Sequence, residues 1–289
     1  MLLKEVGYYR PETIEDAMEM LRSNARARVL AGGQSLLNVM KHRIASPEVL
    51  VDLGGIPNLS YVATEDDGAT RIGAMTTYDT LDNSDDLRRA HPIVAEVAGS
   101  LVDQQVRNRG TVGGNLCYSD PTSNLPPLMV VLDATMVVMG PGGERRVPAA
   151  DFFQGAYNPD LRPGELLSAI LLPVRRSGAG HGYMSLRVSA HGWGIVHAAV
   201  AIVLEDGAVA DTRVALGCVA DRPVRAFSME DALRGESLTP EALRDAAEGV
   251  GEGLDPVSDA HASGSHRRRM AKVMARRAAV QAVEKIARS

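Results

Sequence analysis

Two glycine-rich segments constrain this chain more than any other feature: Ala31-Gly32-Gly33-Gln34-Ser35 and Gly110-Thr111-Val112-Gly113-Gly114-Asn115. Paired glycines let a backbone approach a neighbour closely and enter the φ > 0 region, and consecutive N–H groups in such a turn converge on one oxyanion. The first segment follows a short strand-like run at 28–31 and precedes a helical stretch at 36–41, whose N-terminal end adds partial positive charge. The second opens sequence rich in Gly, Asn, Ser and Pro that reads as loop over 111–127. Gln34, Ser35, Thr111 and Asn115 add neutral polar groups, so the two segments together suit a diphosphate. Taken singly, each reads more readily as an ordinary turn. Neither is a P-loop, because no Gly-Lys-Ser/Thr follows, and neither is G-x-G-x-x-G, which argues against a simple NAD-dependent dehydrogenase.

At 289 residues the chain suits two domains, or one large domain with a lobe. Aromatic residues are 4% against 45% hydrophobic, so the core must be built on Val, Leu, Ile, Met and Ala. The net charge of −5 argues against a nucleic-acid partner. The one basic cluster, from Arg267, Arg268 and Arg269 through Lys272 to Arg276 and Arg277, reads as the exposed face of a last helix, with docking to an acidic partner surface as the alternative. No run approaches about 18 apolar residues, so no transmembrane segment is expected, and the region around Lys4, Glu5 and Arg10 lacks a signal-peptide core. Cys117 and Cys218 match no metal or redox spacing and fit a reducing cytoplasm, the expected location.

Along the chain, 11–23 reads as a helix with Thr13 as N-cap and Asp16 completing an acidic capping box. Strands are expected at 49–53, 70–74, 135–139 and 166–172, and helices from Thr77, over 92–100 and over 128–132. The stretch 175–183 reads as a linker. Beyond it, strands at 196–204 and 212–219 are joined through a Glu205-Asp206-Gly207 turn, and helices follow at 229–234, 240–249 and 266–288. The fold class is α+β.

Tyr9-Arg10-Pro11-Glu12-Thr13, Ala31 through Leu36, Val51-Asp52-Leu53, Ile72-Gly73-Ala74 and, most specifically, Val106 through Leu116 carry a resemblance, with Asp120-Pro121 and Leu125-Pro126 beyond. Over essentially its whole length the chain resembles the medium subunit of the carbon monoxide dehydrogenase, xanthine dehydrogenase and nicotine dehydrogenase family of molybdenum hydroxylases. The resemblance implies a PCMH-type FAD-binding domain over 1–176, made of α+β subdomains at about 1–55 and 56–176 that clamp the cofactor. A smaller α+β C-terminal domain of the CO dehydrogenase flavoprotein type would follow over 177–289. It further implies FAD on this chain, [2Fe–2S] clusters on a small partner subunit and a molybdopterin–molybdenum centre on a large one, assembled as a dimer of heterotrimers. Electrons would pass from the clusters to FAD and on to an external acceptor. Two separated cysteines cannot ligate an iron–sulfur cluster, so the electrons must arrive from another polypeptide.

Carried over by position, Ala31, Gly32, Gly33, Gln34, Ser35 and Leu36, with Thr111, Gly113, Gly114 and Asn115, would hold the diphosphate and adjoining ribose or ribityl oxygens. Leu101, Leu167 and Arg187 stand where relatives touch the cofactor, and Asn124 stands where many relatives bind the adenosine ribose with an acidic residue. Arg187 has two readings: a cation that stabilises reduced flavin, or a strand residue with its charge outward. Cys117 reads as a buried structural thiol, and Trp193 as packing in the second lobe rather than a ring stacked on flavin. The run Asp82 to Asp86 reads as a solvated helix start. His42, His91, His181, His191, His197, His261 and His266 form no metal-spaced group and read as surface or satisfied residues. No acid–base or nucleophilic catalytic residue and no metal ligand is expected on the chain. Two rival readings are a stand-alone flavin oxidoreductase and a scaffold subunit with a vestigial flavin site.

Overall fold

Thr13 caps the first helix as its position predicts: its hydroxyl accepts the Asp16 N–H at 3.1 Å, and Glu15 and Asp16 sit in the positive first turn. This helix, α1 (Ile14–Ser23), connects β1 (Gly7–Tyr9) to β2 (Ala27–Leu30), and α2 (Leu36–Lys41) connects β2 to β3 (Val49–Asp52). Each connection carries a helix, so the strands pair in parallel, in the order β1-β3-β2. Ala17, Ala27, Val51 and Leu53 form a small core beneath them. The computed structural model describes residues 3–101, 103–189 and 192–288, and His191 with its surface reading lies outside them.

A second, antiparallel sheet follows from β4 (Val62–Thr64) and β5 (Thr70–Gly73). A helical excursion then runs through α3 (Tyr78–Asn83), α4 (Asp85–Ala90), α5 (Pro92–Gly99), α6 (Gln104–Arg109), α7 (Val112–Tyr118) and α8 (Leu125–Val131). The chain returns through the hairpin β6 (Thr135–Gly140) and β7 (Gly143–Pro148), the short α9 (Ala149–Phe152), the ribbon β8 (Phe153–Gly155) and β9 (Asn158–Pro159), and β10 (Leu166–Leu172). The sheet order is β4-β5-β10-β6-β7, so the last strand is central, in keeping with the near-continuous burial of Leu166 to Leu172. Two expectations are corrected here. The 111–127 stretch is loop only over 119–124, with α7 before that loop and the start of α8 after it. The acidic run 82–86 ends α3 as well as starting α4, with Ser84 capping the latter.

The C-terminal sheet, β11-β12-β13-β14, comprises β11 (Ala179–Arg187), β12 (Gly194–Glu205), β13 (Ala208–Gly217) and β14 (Val224–Arg225), followed by α10 (Phe227–Leu233), α11 (Pro240–Glu248) and α12 (Gly264–Ile286). The expected linker is largely strand, and its glycines have a packing role. A Cβ on Gly182 would lie 1.9 Å from the Ala278 carbonyl oxygen, and one on Gly180 would lie 2.1 Å from that of Ala282. Residues two apart share a sheet face, so these glycines let α12 lie directly on β11, with Ala271, Ala275, Ala278, Ala279 and Ala282 buried against the sheet. Among the described residues no helix is long and apolar enough to cross a membrane.

Arg267 corrects the expectation of a wholly exposed basic face. It is 3% exposed, donates to the Ile195 and Cys218 carbonyls at 2.7 and 3.3 Å, and pairs with Asp259 at 2.6 Å. Arg268, Arg269, Arg276 and Arg277 are exposed. Arg267→Ala strands two buried carbonyls, and unsatisfied groups of this kind cost about 1–3 kcal/mol each. Urea unfolding at neutral pH is expected to show a loss of about 2–4 kcal/mol. A loss under about 0.5 kcal/mol, the range of ordinary surface substitutions, would return Arg267 to the solvated face.

Candidate functional site

The first glycine turn leaves the C-terminal end of β2, where open parallel sheets place their ligand sites. Gly33 has φ +74°, a left-handed conformation that favours glycine. Among the described residues no acceptor takes the N–H of Gly32, Gly33, Gln34 or Ser35, although the Gly33 carbonyl accepts the Leu37 N–H at 3.2 Å. Gln34 folds back, donating from Nε2 to the Gly32 carbonyl at 3.1 Å.

The second glycine segment meets the first directly. A Cβ on Gly32 would stand 1.9 Å from the Arg109 carbonyl oxygen and 2.9 Å from the Gly110 Cα, and one on Gly114 would stand 3.4 Å from the Ala31 Cβ. The two turns are therefore in backbone contact, although they are far apart in sequence. The second segment works differently from its sequence reading. Gly113 and Gly114 lie within α7 and have no positive φ. The N–H groups of Val112 and Gly113 go to the Thr76 and Ala74 carbonyls at 2.9 and 2.8 Å, and that of Gly114 to Thr111 Oγ1 at 3.1 Å. Among the described residues, the N–H groups without an acceptor are therefore those of Gly32 to Ser35 in the first turn and that of Thr111 in the second segment. Gly113 is glycine because a Cβ would fall 2.6 Å from Ala74, and this close fit seats α7 against the end of β5.

The remaining candidates attach to this junction by traceable bonds. Leu36 opens α2, directly behind the first turn. Asn115 donates from Nδ2 to Ser123 Oγ at 3.3 Å, and its buried Oδ1 has no partner. Asn124 is 6% exposed; its Oδ1 accepts from Tyr78 Oη at 3.2 Å and its buried Nδ2 has no partner. Leu167 is buried in β10, and the next residue, Ser168, accepts the Ala74 N–H at 2.9 Å. Leu101 follows α5, and the Arg107 guanidinium donates to its carbonyl, tying it to the helix that ends at Gly110. Arg187 ends β11 at a bulge opposite Gly194 and reaches across to Ser100, donating to its carbonyl at 3.0 Å and its Oγ at 3.3 Å. No carboxylate pairs with it among the described residues, so its charge is uncompensated beside Leu101.

Three side-chain readings change. Trp193 is 61% exposed, so it does not pack in the second lobe. His91 and His197 are buried, each with an unpartnered Nδ1, and so are neither surface residues nor fully satisfied. Tyr78, Ser123 and Tyr183, which hold the two asparagines and their loop, carried no motif that singled them out. Burial pushes the Cys117 thiol up to about 12, which keeps it protonated and unreactive. No group of three or more His, Cys, Asp or Glu suited to a metal occurs among the described residues.

These residues fit a dinucleotide flavin. A turn with unpartnered N–H groups suits a diphosphate, and two buried amides with open polar atoms suit sugar hydroxyls. Residues 4–175 match the model of the FAD binding domain in molybdopterin dehydrogenase, and residues 181–282 match that of the CO dehydrogenase flavoprotein C-terminal domain. The chain belongs to the FAD-binding medium subunits of the molybdenum hydroxylase family. It is 39% identical to the carbon monoxide dehydrogenase medium chain of Afipia carboxidovorans, covering 98% of each chain. It is 33% identical to the nicotine 6-hydroxylase medium subunit of Paenarthrobacter nicotinovorans, covering 98% of this chain and 99% of the relative. A solved carbon monoxide dehydrogenase from Hydrogenophaga pseudoflava superposes with a TM-score of 0.95 at 35% identity, over 98% of this chain and 99% of that one. Medium subunits of this family are parts of oxidoreductases, and FAD is the cofactor of the domain that spans 4–175 here.

Proposed function

We propose that this subunit accepts electrons from [2Fe–2S] clusters of a small partner subunit and delivers them to an external acceptor. The complex would include a large molybdopterin subunit, assemble as a dimer of heterotrimers and work in the cytoplasm. The observation that carries this reading is the backbone contact between Gly32 and Arg109, which fixes two glycine segments as one cradle within a family-matched FAD domain. FAD supplies chemistry that joins one-electron to two-electron transfer. The chain's residues bind, orient and tune. The N–H groups of Gly32 to Ser35 would hold the diphosphate; Thr111, Asn115 and Asn124 would offer side-chain hydrogen bonds to sugar oxygens; Ala31, Leu36, Leu101, Gly113, Gly114 and Leu167 would shape the walls; and Arg187 would supply positive charge beside Leu101. In this reading 1–176 form the flavin domain and 177–289 the C-terminal domain.

Purification of the native complex tests the reading. Flavin bands with iron–sulfur shoulders, and co-purifying small and large subunits, are the expected result. A yellow chain that turns over substrate alone, or a colourless one that takes up no FAD, would contradict it. Arg187 makes a finer prediction. Removing a cation that favours reduced flavin by about 1.4 kcal/mol lowers a two-electron potential by about 30 mV. Arg187→Ala is therefore expected to shift the flavin midpoint potential down by tens of millivolts, while Arg187→Lys shifts it less. An unchanged potential would leave Arg187 as an outward strand charge.

A further inference from the structure

The loop between α7 and α8 is held along its backbone by the C-terminal sheet. Three carbonyls within four residues each meet a different donor. The Pro121 carbonyl accepts the Cys218 N–H at 3.0 Å, that of Thr122 lies 3.1 Å from His197 Nε2, and that of Asn124 accepts from Tyr183 Oη at 3.0 Å. Tyr183 and His197 come from β11 and β12, and their rings stack with centroids 5.9 Å apart. Cys218 follows β13 with φ +65°, a conformation unusual for a side-chain-bearing residue and held here by the loop it serves. The flanking glycines make room for the imidazole: a Cβ on Gly194 would lie 2.4 Å from His197 Nε2.

On the other side, the same loop carries the polar groups of the cradle. Ser123 accepts from Asn115 Nδ2, and Asn124 presents an amide whose Oδ1 is already taken by Tyr78. The Tyr78 hydroxyl thus turns Asn124 so that its Nδ2 remains as a donor. We infer that Tyr183 and His197, neither of which need touch the cofactor, are positioning residues of the C-terminal sheet that clamp the 121–124 loop and so set Asn115 and Asn124 for FAD. This rests on the flavin reading above and adds to it a specific dependence of cofactor affinity on the second domain. His197 serves as the tautomer protonated at Nε2, which makes it a donor to Thr122.

The test is equilibrium titration of the full apo-chain with FAD, followed by quenching of flavin fluorescence. Losing one buried hydrogen bond from a pre-organised site is worth about tenfold in affinity. His197→Leu is expected to raise the FAD Kd about tenfold, and Tyr183→Phe, which keeps the ring and its packing, by a similar factor. His197→Gln retains an Nε2 donor and is expected to restore binding to within about threefold of the unmodified chain. Unchanged affinity in Tyr183→Phe and His197→Leu, or equal impairment of His197→Gln and His197→Leu, overturns the clamp while leaving the flavin assignment intact. Failure of the unmodified chain to bind FAD overturns both.

Discussion

Gly32→Ala is expected to abolish measurable FAD binding in the micromolar range, although it adds a single methyl group. The new Cβ would stand 1.9 Å from the Arg109 carbonyl oxygen and 2.7 Å from the carbonyl carbon. Both obstacles are backbone, so no side-chain rotation relieves them, and the two turns must separate. Forcing volume into a packed site costs about 1–3 kcal/mol and sometimes more, and separation also breaks the alignment on which binding depends. A loss of about 2.7 kcal/mol is a hundredfold in Kd, the minimum expected here. Gly33→Ala is the graded comparison. Its φ of +74° disfavours a side chain, but the nearest obstacle is the flexible tip of Leu37 at 2.9 Å. Its effect should be smaller, on the order of tenfold from about 1–2 kcal/mol of left-handed strain. Gly142→Ala, where nothing lies within 4 Å, should bind FAD normally. Titrations of the three variants, with circular dichroism to confirm folding, check the ranking; Gly32→Ala binding like Gly142→Ala would contradict it.

Stability is expected to fall steeply as pH drops from 6.5 towards 4. His91, His181 and His197 are each held down to about 4, in every case first by burial. Arg175 adds repulsion at His91; His91, Arg175, Lys285 and Arg213 add it at His181; and Arg187 adds it at His197, where the Thr122 carbonyl partly opposes the shift. In the unfolded chain these imidazoles take up protons near the ordinary value of about 6.5. Between the two values the unfolded state binds more protons, so acidification favours unfolding. The neutral histidines therefore contribute stability that is complete above pH 6.5 and is lost as pH falls towards 4. Each contributes a slope of about 1.4 kcal/mol per pH unit within that window. Urea midpoints measured from pH 7.5 to 4.5 should decline throughout the lower part of the range, and His91→Gln with His197→Gln should flatten the decline. A constant midpoint down to pH 5 would mean that these sites admit water freely.

The elements that depend on local pattern were legible in the sequence, and those that depend on distant backbone were not. Thr13 and its helix, the apolar strand Leu166 to Leu172 and the hairpin through Asp206-Gly207 each carry their own signal. The helix α7 does not. Gly113 and Gly114 cost about 1 kcal/mol each against alanine in a helix, so local propensity reads loop. The helix is rescued by burial of Val112 and Leu116 in the core and by the fit of Gly113 on Ala74, contacts supplied by residues distant in the chain. The glycines of β11 misled for the same reason: they look like a flexible linker until α12, almost a hundred residues on, lies across them. Within the site, the motif found the residues but not their division of labour. Four successive free N–H groups remain on the first turn, from Gly32 to Ser35, whereas those of Val112, Gly113 and Gly114 in the second are used in seating and capping α7. Arg267 was hidden by its place in a basic run, since nothing in the sequence distinguishes it from its exposed neighbours.

The structure of the chain determined with bound FAD tests the central claim most directly. The diphosphate is expected within hydrogen-bonding distance of the N–H groups of Gly32 to Ser35, with Thr111 to Asn115 lining the opposite wall. A nucleotide seated elsewhere, with those N–H groups turned to solvent, would contradict the account.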